Sequence, residues 1–128
     1  MSYDLYFWRE ERPAYLSPDE AIDRLDKEQP VDGFALFVNN AVVAVFQQEF
    51  PDIRLESHQL VWEGVDSGFE VHFTHSDERH IHMITATCGY GLLDHTEILN
   101  RIIDVAHLFG CGCYDPQVRK RYPEPDRL

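Results

Sequence analysis

The sequence predicts an α+β protein: an antiparallel sheet of about four strands in the split βαβ, ferredoxin-like order 4-1-3-2, with three helices on one face. Three observations predict it. An aromatic segment at the start alternates with the period of a strand, two segments in the middle alternate around a polar turn, and three stretches carry helix signals. With 128 residues the chain has the size of one domain and can bury a single core without a staple. Residues 1–116 form that domain in this reading, and residues 117–128, with Arg119, Lys120, Arg121 and two prolines, form a mobile basic tail.

Along residues 2–8, Tyr3, Leu5 and Phe7 point one way and Asp4, Tyr6 and Trp8 the other, which defines the first strand. Ser17 then supplies an N-cap, Pro18 a first-turn proline and Glu20 the carboxylate of a capping box, so a helix runs over residues 18–28. From Gly33 to Phe50 the apolar residues Phe34, Phe37, Val38, Ala41, Val45 and Phe46 recur at helical steps and Pro51 closes the segment, which predicts a second, largely buried helix. Val42 and Val43 are β-branched and leave a strand open as the alternative. Residues 52–67 carry no clear period and read as irregular, with Leu60 and Trp62 anchoring a loop or short edge strand. Phe69, Val71 and Phe73 alternate with Glu70, His72 and Thr74; after Ser76, Asp77 and Glu78, residues Ile81, Met83 and Thr85 alternate with His80, His82 and Ile84. These are the strands of a hairpin. Asp94 and Glu97 cap a third helix through Ile98, Leu99, Ile102, Ile103, Ala106 and Phe109, and Gly110 stands where a left-handed residue ends it. Residues 111–114 make the last strand before Asp115 and Pro116.

All of the net charge lies in the first part of the chain: residues 1–78 hold 17 Asp and Glu against 5 Lys and Arg, whereas residues 79–128 hold 6 of each. An acidic surface speeds encounter with basic proteins and repels nucleic acid and anionic lipid, so the balance favours a basic protein partner and disfavours nucleic acid and membrane. The longest apolar run, residues 41–46, is too short to cross a bilayer, and the start of the chain lacks the regions of a signal peptide, so the expected compartment is the cytoplasm. Cys88, Cys111 and Cys113, an odd number without metal-site spacing, read as buried thiols of a reducing compartment.

If the core takes Phe69, Val71 and Phe73 from one hairpin strand and Ile81 and Met83 from the other, the connecting loop has an odd number of residues. His72 then lies opposite His82, Thr74 opposite His80, and Glu70 opposite Ile84 on the face away from the helices, joined there by Asp4, Tyr6 and Trp8. Three uses of such a face compete. A metal site would take His72, His80 and His82 with Glu70, but a flat face seldom gives the supporting contacts that zinc chemistry needs, and no cofactor is expected. An RNA-binding sheet would show the aromatics but needs Lys and Arg that this face lacks. A protein-binding face fits best, with Tyr6 and Trp8 as anchors and Glu70, His72 and His82 around them, while Asp19, Glu20 and Asp23 on the first helix steer a basic partner. In the bland alternative the imidazoles are ordinary solvated positions, and residues 60–62 cover Tyr6 and Trp8. No glycine-rich phosphate loop, nucleophile elbow or zinc-protease helix is present, and Cys88 lacks the setting of an activated thiol, so a small metal-dependent or thiol enzyme is the alternative function.

The two ends of the chain also carry a resemblance. Ser2-Tyr3-Asp4-Leu5-Tyr6-Phe7-Trp8 at the start, with residues 102–110 and then Cys113-Tyr114-Asp115-Pro116-Gln117 near the end, resemble small bacterial immunity proteins of polymorphic and contact-dependent inhibition toxin systems. The match covers about a quarter of the residues, all structural positions, so it transfers no toxin-contacting residue. It implies a cytoplasmic antitoxin that neutralises a cognate toxin by stoichiometric binding. Basic nuclease toxins suit the acidic balance of this chain, since their substrates are polyanions.

Overall fold

The computed structural model describes residues 2–11, 16–27, 31–57, 59–65 and 67–122. Strand β1 is Ser2–Trp8, and helix α1 follows at Pro18–Leu25. The short strand β2, Phe37–Val38, leads directly into α2, Asn39–Glu49. Strands β3, Arg54–Glu56, β4, Gln59–Glu63, β5, Gly68–His75, and β6, His80–Gly89, come next. A 3-10 turn over Tyr90–Asp94 precedes α3, Thr96–Leu108, and the chain continues through β7, Gly112–Asp115, and β8, Lys120–Tyr122.

Among the described residues these eight strands make one sheet in the order β3-β4-β5-β6-β1-β7-β8, with β2 paired to the start of β6. The predicted four-stranded ferredoxin-like sheet is thereby corrected. Residues 54–63, read as irregular, add two strands at one edge, and Lys120–Tyr122, placed by the sequence in the tail, pairs with β7 at the other. The signal was weak because β3 is exposed at all of its positions and shows no apolar alternation. Residues 123–128 lie outside the described residues.

The placement of all three helices on one face is also corrected. On one face α2 and α3 bury Val42, Val43, Phe46, Ile102, Val105 and Ala106 against Leu5, Phe7, Phe69, Val71, Ile84 and Ala86. On the other, α1 buries Ala21 and Leu25 against Trp8, Phe34, Met83 and Tyr114. Burial on both faces explains why β6 reads as a nearly continuous buried run, Ile81 to Ile84 with Ala86 and Cys88, and not as a clean alternation.

Local signals account for the helix ends. Ser17 accepts a hydrogen bond from the Glu20 N–H at 3.2 Å and Pro18 opens α1, which stops at Leu25 with Asp26 as its C-cap; residue 28, its predicted end, lies outside the described residues. The second helix starts later than predicted, at Asn39, because the backbone before it is tied to other segments: Glu11 N–H donates to Gly33 O, Ala35 N–H to Arg9 O, and Phe37 pairs with Ile81. Its buried stripe is Val42, Val43 and Phe46, and Ala41 is exposed. The third helix has His95 as N-cap in place of Asp94, and Gly110 takes the left-handed conformation, φ +73°, just past its end. No described helix is long and apolar enough to cross a membrane.

The β5–β6 register differs from the predicted one by a whole face. His72 lies opposite Thr85, Glu70 opposite Thr87, Val71 opposite Ala86 and Phe73 opposite Ile84. The core face of β6 near the centre is Ile84, Ala86 and Cys88. Towards the turn, β6 advances two residues, Met83 to Ile81, while β5 advances one, Thr74 to His75; His82 is the extra residue of this bulge. The bulge lets Ile81 and Ile84, three apart, point into the same core.

Candidate functional site

The covered part of the second face buries two of the predicted binding residues, the anchor Trp8 and its neighbour His82. Trp8 is 1% exposed, sealed by α1, with its Nε1–H donating to Glu10 Oε1 at 3.2 Å. The Arg121 guanidinium lies 5.0 Å from the centre of the Trp8 ring and donates to the same carboxylate at 2.8 Å. Trp8 is thus a core residue with a cation over its face, and α1, not residues 60–62, is what covers it. His82 is fully buried in the bulge of β6 and ties it to α1: Nε2 faces the Leu25 carbonyl and Nδ1 faces Ser76 Oγ at 3.2 Å. Since a carbonyl only accepts, Nε2 carries the hydrogen of that bond, and Nδ1 pairs with the serine hydroxyl, which can donate or accept.

The three imidazoles proposed for a metal go to separate partners. His80 Nδ1 meets Asp77 Oδ1 at 2.9 Å, His72 Nε2 meets Glu70 Oε2 at 3.3 Å, and His82 serves the α1 contact. Among the described residues no group of three or more metal-binding side chains comes together. Burial pushes the thiols of Cys88, Cys111 and Cys113 up to about 12, so they stay protonated at neutral pH, the opposite of an activated nucleophile.

What remains is the half of the second face that α1 leaves uncovered, and strand register orders it into two rows. One runs Asp4, Thr87, Glu70, Val61, Arg54 across β1, β6, β5, β4 and β3. The next runs Tyr6, Thr85, His72, Gln59, Glu56. Tyr6 marks the border: it packs against the α1 cluster, and its hydroxyl pKa is raised first by burial and then by the carboxylates of Asp4 and Asp26. Asp19, Glu20 and Asp23 are exposed on α1 beyond it.

At the far end the face sinks into a depression of about 280 Å³ bounded by Val61, Glu63, Gly68, Glu70, Thr87 and Gly89. Gly68 is required there, because a Cβ would lie 2.2 Å from the Trp62 carbonyl oxygen, a backbone atom that cannot yield. Asp4, Glu56, Glu63 and Glu70 are the carboxylates of this surface, and Arg54, its guanidinium, is engaged by Glu63 at 3.2 Å and Glu56 at 3.8 Å. The surface is therefore a net acidic, threonine-lined plane.

Of the predicted binding residues, Glu70 and His72 lie on this plane with Tyr6 at its margin, whereas Trp8 and His82 are interior. Thr85, Thr87 and Glu63 went unread as site residues; the alternation of Thr85 and Thr87 with buried Ala86 and Cys88 was the available signal. No family model matches the chain, and neither the curated proteins nor the solved structures compared with it give a match.

Proposed function

We propose that the protein is an immunity protein, a cytoplasmic antitoxin that neutralises a cognate basic, nuclease-type bacterial toxin by stoichiometric binding. The observation that carries the proposal is the uncovered half of the sheet, where Asp4, Glu70, Glu63 and Glu56 are spread across the strands and Arg54, at the β3 edge, is already paired with Glu63 and Glu56. A basic protein surface finds opposite charge there, and the threonines between the carboxylates allow close approach. The exposed acids Asp19, Glu20 and Asp23 on α1 extend the same field and act on the approach more than on the final contact. The opening and closing segments that resemble immunity proteins support the class of partner.

The test is co-expression with the C-terminal domain encoded by the adjacent reading frame. The expected result is a one-to-one complex in solution, loss of that domain's toxicity, and weaker binding by at least about tenfold for Glu70→Lys combined with Asp4→Lys. No complex, or a complex indifferent to both charge reversals, removes the proposal.

A further inference from the structure

On the helix-bearing side of the β4–β5 hairpin lies a second depression of different character. The connecting turn folds back on itself, with Gly64 N–H donating to Ser67 O at 2.9 Å, and rests on the Trp62 indole so closely that a Cβ on Gly64 would lie 2.7 Å from the ring. Facing the turn are the 3-10 segment and the first turn of α3. Between them is a depression of about 240 Å³ walled by Trp62, Val65, Ser67, Leu92, His95 and Ile98. Leu92 is buried at its base, while Val65 is fully exposed on the turn, and Tyr90 and Leu93 are exposed large apolar residues close by in the chain. Asp94 and Glu97 flank His95 and are both exposed, with Glu97 Oε1 3.6 Å from His95 Nδ1.

We infer that this depression seats one apolar side chain of a basic protein partner, with Lys or Arg neighbours of that side chain meeting Asp94 and Glu97. The inference rests on the protein-binding reading above and names a second contact for the same partner. Its size suits the occupant: at about 240 Å³ it lies below the roughly 300–1,000 Å³ of small-molecule sites and has room for a single side chain. An apolar hole with a carboxylate nearby, here Glu97 beside the lining residue His95, is a setting in which one inserted residue can dominate an interface. Charge decides the partner, because a second copy of this chain would bring another net charge of −12 and another Asp94 and Glu97. Position joins the two surfaces: Trp62 borders both depressions, so a partner straddling Trp62 and Gly64 touches the acidic plane on one side and this hole on the other.

Chemical-shift titration of the full chain tests it with three blocked tripeptides, Lys-Phe-Lys, Lys-Gly-Lys and Glu-Phe-Glu. Lys-Phe-Lys is expected to give saturable shifts centred on Val65, Leu92, Ile98 and the Trp62 indole, and the other two peptides to bind at least about tenfold more weakly. Val65→Asn, at a position exposed enough to leave the fold alone, should weaken Lys-Phe-Lys severalfold, and Asp94→Asn with Glu97→Gln should erase its advantage over Glu-Phe-Glu. Shifts scattered over the surface, equal binding of Lys-Gly-Lys, an indifferent Val65→Asn, or Val65 signals that respond to protein concentration alone would overturn the inference. The peptides read this depression by itself, so failure of the co-expression test removes the toxin partner without touching the peptide result.

Discussion

Trp8 and His82 look like surface residues in the amino-acid pattern and act as interior ones, and their environments set what their loss does. Truncating Trp8 opens a cavity between α1 and the sheet and leaves Arg121 and Glu10 without the ring they enclose. Trp8→Ala should therefore destabilise by about 3–5 kcal/mol, seen as a lowered denaturation midpoint with unchanged slope. Any loss of partner binding in that variant should track loss of fold; a stable Trp8→Ala protein that fails to bind would return Trp8 to the interface. His82→Leu keeps the volume roughly but strands the Leu25 carbonyl and Ser76 hydroxyl in the interior, which costs about 1–3 kcal/mol. His82→Asn should recover part of that in the same urea titration if hydrogen bonding, and not shape, is the reason for the histidine.

Among the elements, the β5–β6 hairpin carries a pH dependence whose sign follows from its turn. Asp77 accepts from the backbone N–H of Arg79 and of His80 and meets the His80 ring, and the Arg79 bond, the largest cause, with the His80 contacts holds its carboxyl below the ordinary 3.8. A carboxyl lowered in the folded state contributes stability above its unfolded pKa and loses it as pH falls through the folded value. Stability should accordingly fall below about pH 4 in the native protein, and Asp77→Ala should remove that part of the acid sensitivity, as measured by thermal midpoints across the range. At the other hairpin, Gly68→Ala forces a methyl against the Trp62 carbonyl and should lower stability by about 2 kcal/mol or more, a cost that Ala at an exposed strand position would not carry. Elements of this kind differ in how legible they were. The start of α1 was readable from Ser17, Pro18 and Glu20 because capping is a contact between residues three apart. Strands β3 and β4 were not, since Leu60 and Val61 are both buried and Trp62 is half-buried, which blurs the alternation that marks a strand.

At the scale of the whole molecule, charge is the property that reaches farthest. Residues 1–78 hold 17 acidic side chains against 5 basic ones, and the structure lays Asp4, Glu56, Glu63 and Glu70 on the sheet and Asp19, Glu20 and Asp23 on α1. Long-range attraction of that kind acts on encounter and is screened over roughly 8–10 Å at physiological salt. Association with the toxin domain should slow by about tenfold or more between low and physiological ionic strength while dissociation changes little, read by stopped-flow fluorescence. An association rate unmoved by salt would mean that the acidic plane plays no part in recognition.

Legible in the amino-acid order was whatever depends on near neighbours and on sums: the N-terminal turn of α1, the left-handed Gly110 after α3, the alternation of β5, and the acidic balance. Which face each alternating strand buries, and what covers it, came from contacts between segments far apart in the chain. Alternation in β1 separates Asp4, Tyr6 and Trp8 from Tyr3, Leu5 and Phe7, yet nothing local says that Leu25, Met83 and Tyr114 will meet over Trp8. The pairing of β5 with β6 was likewise beyond local reading, because one bulged residue, His82, moves every opposed pair and is held there by a carbonyl 57 positions away in the chain. Periodicity reports that two faces differ; contact between distant segments chooses which of them is left open to a partner.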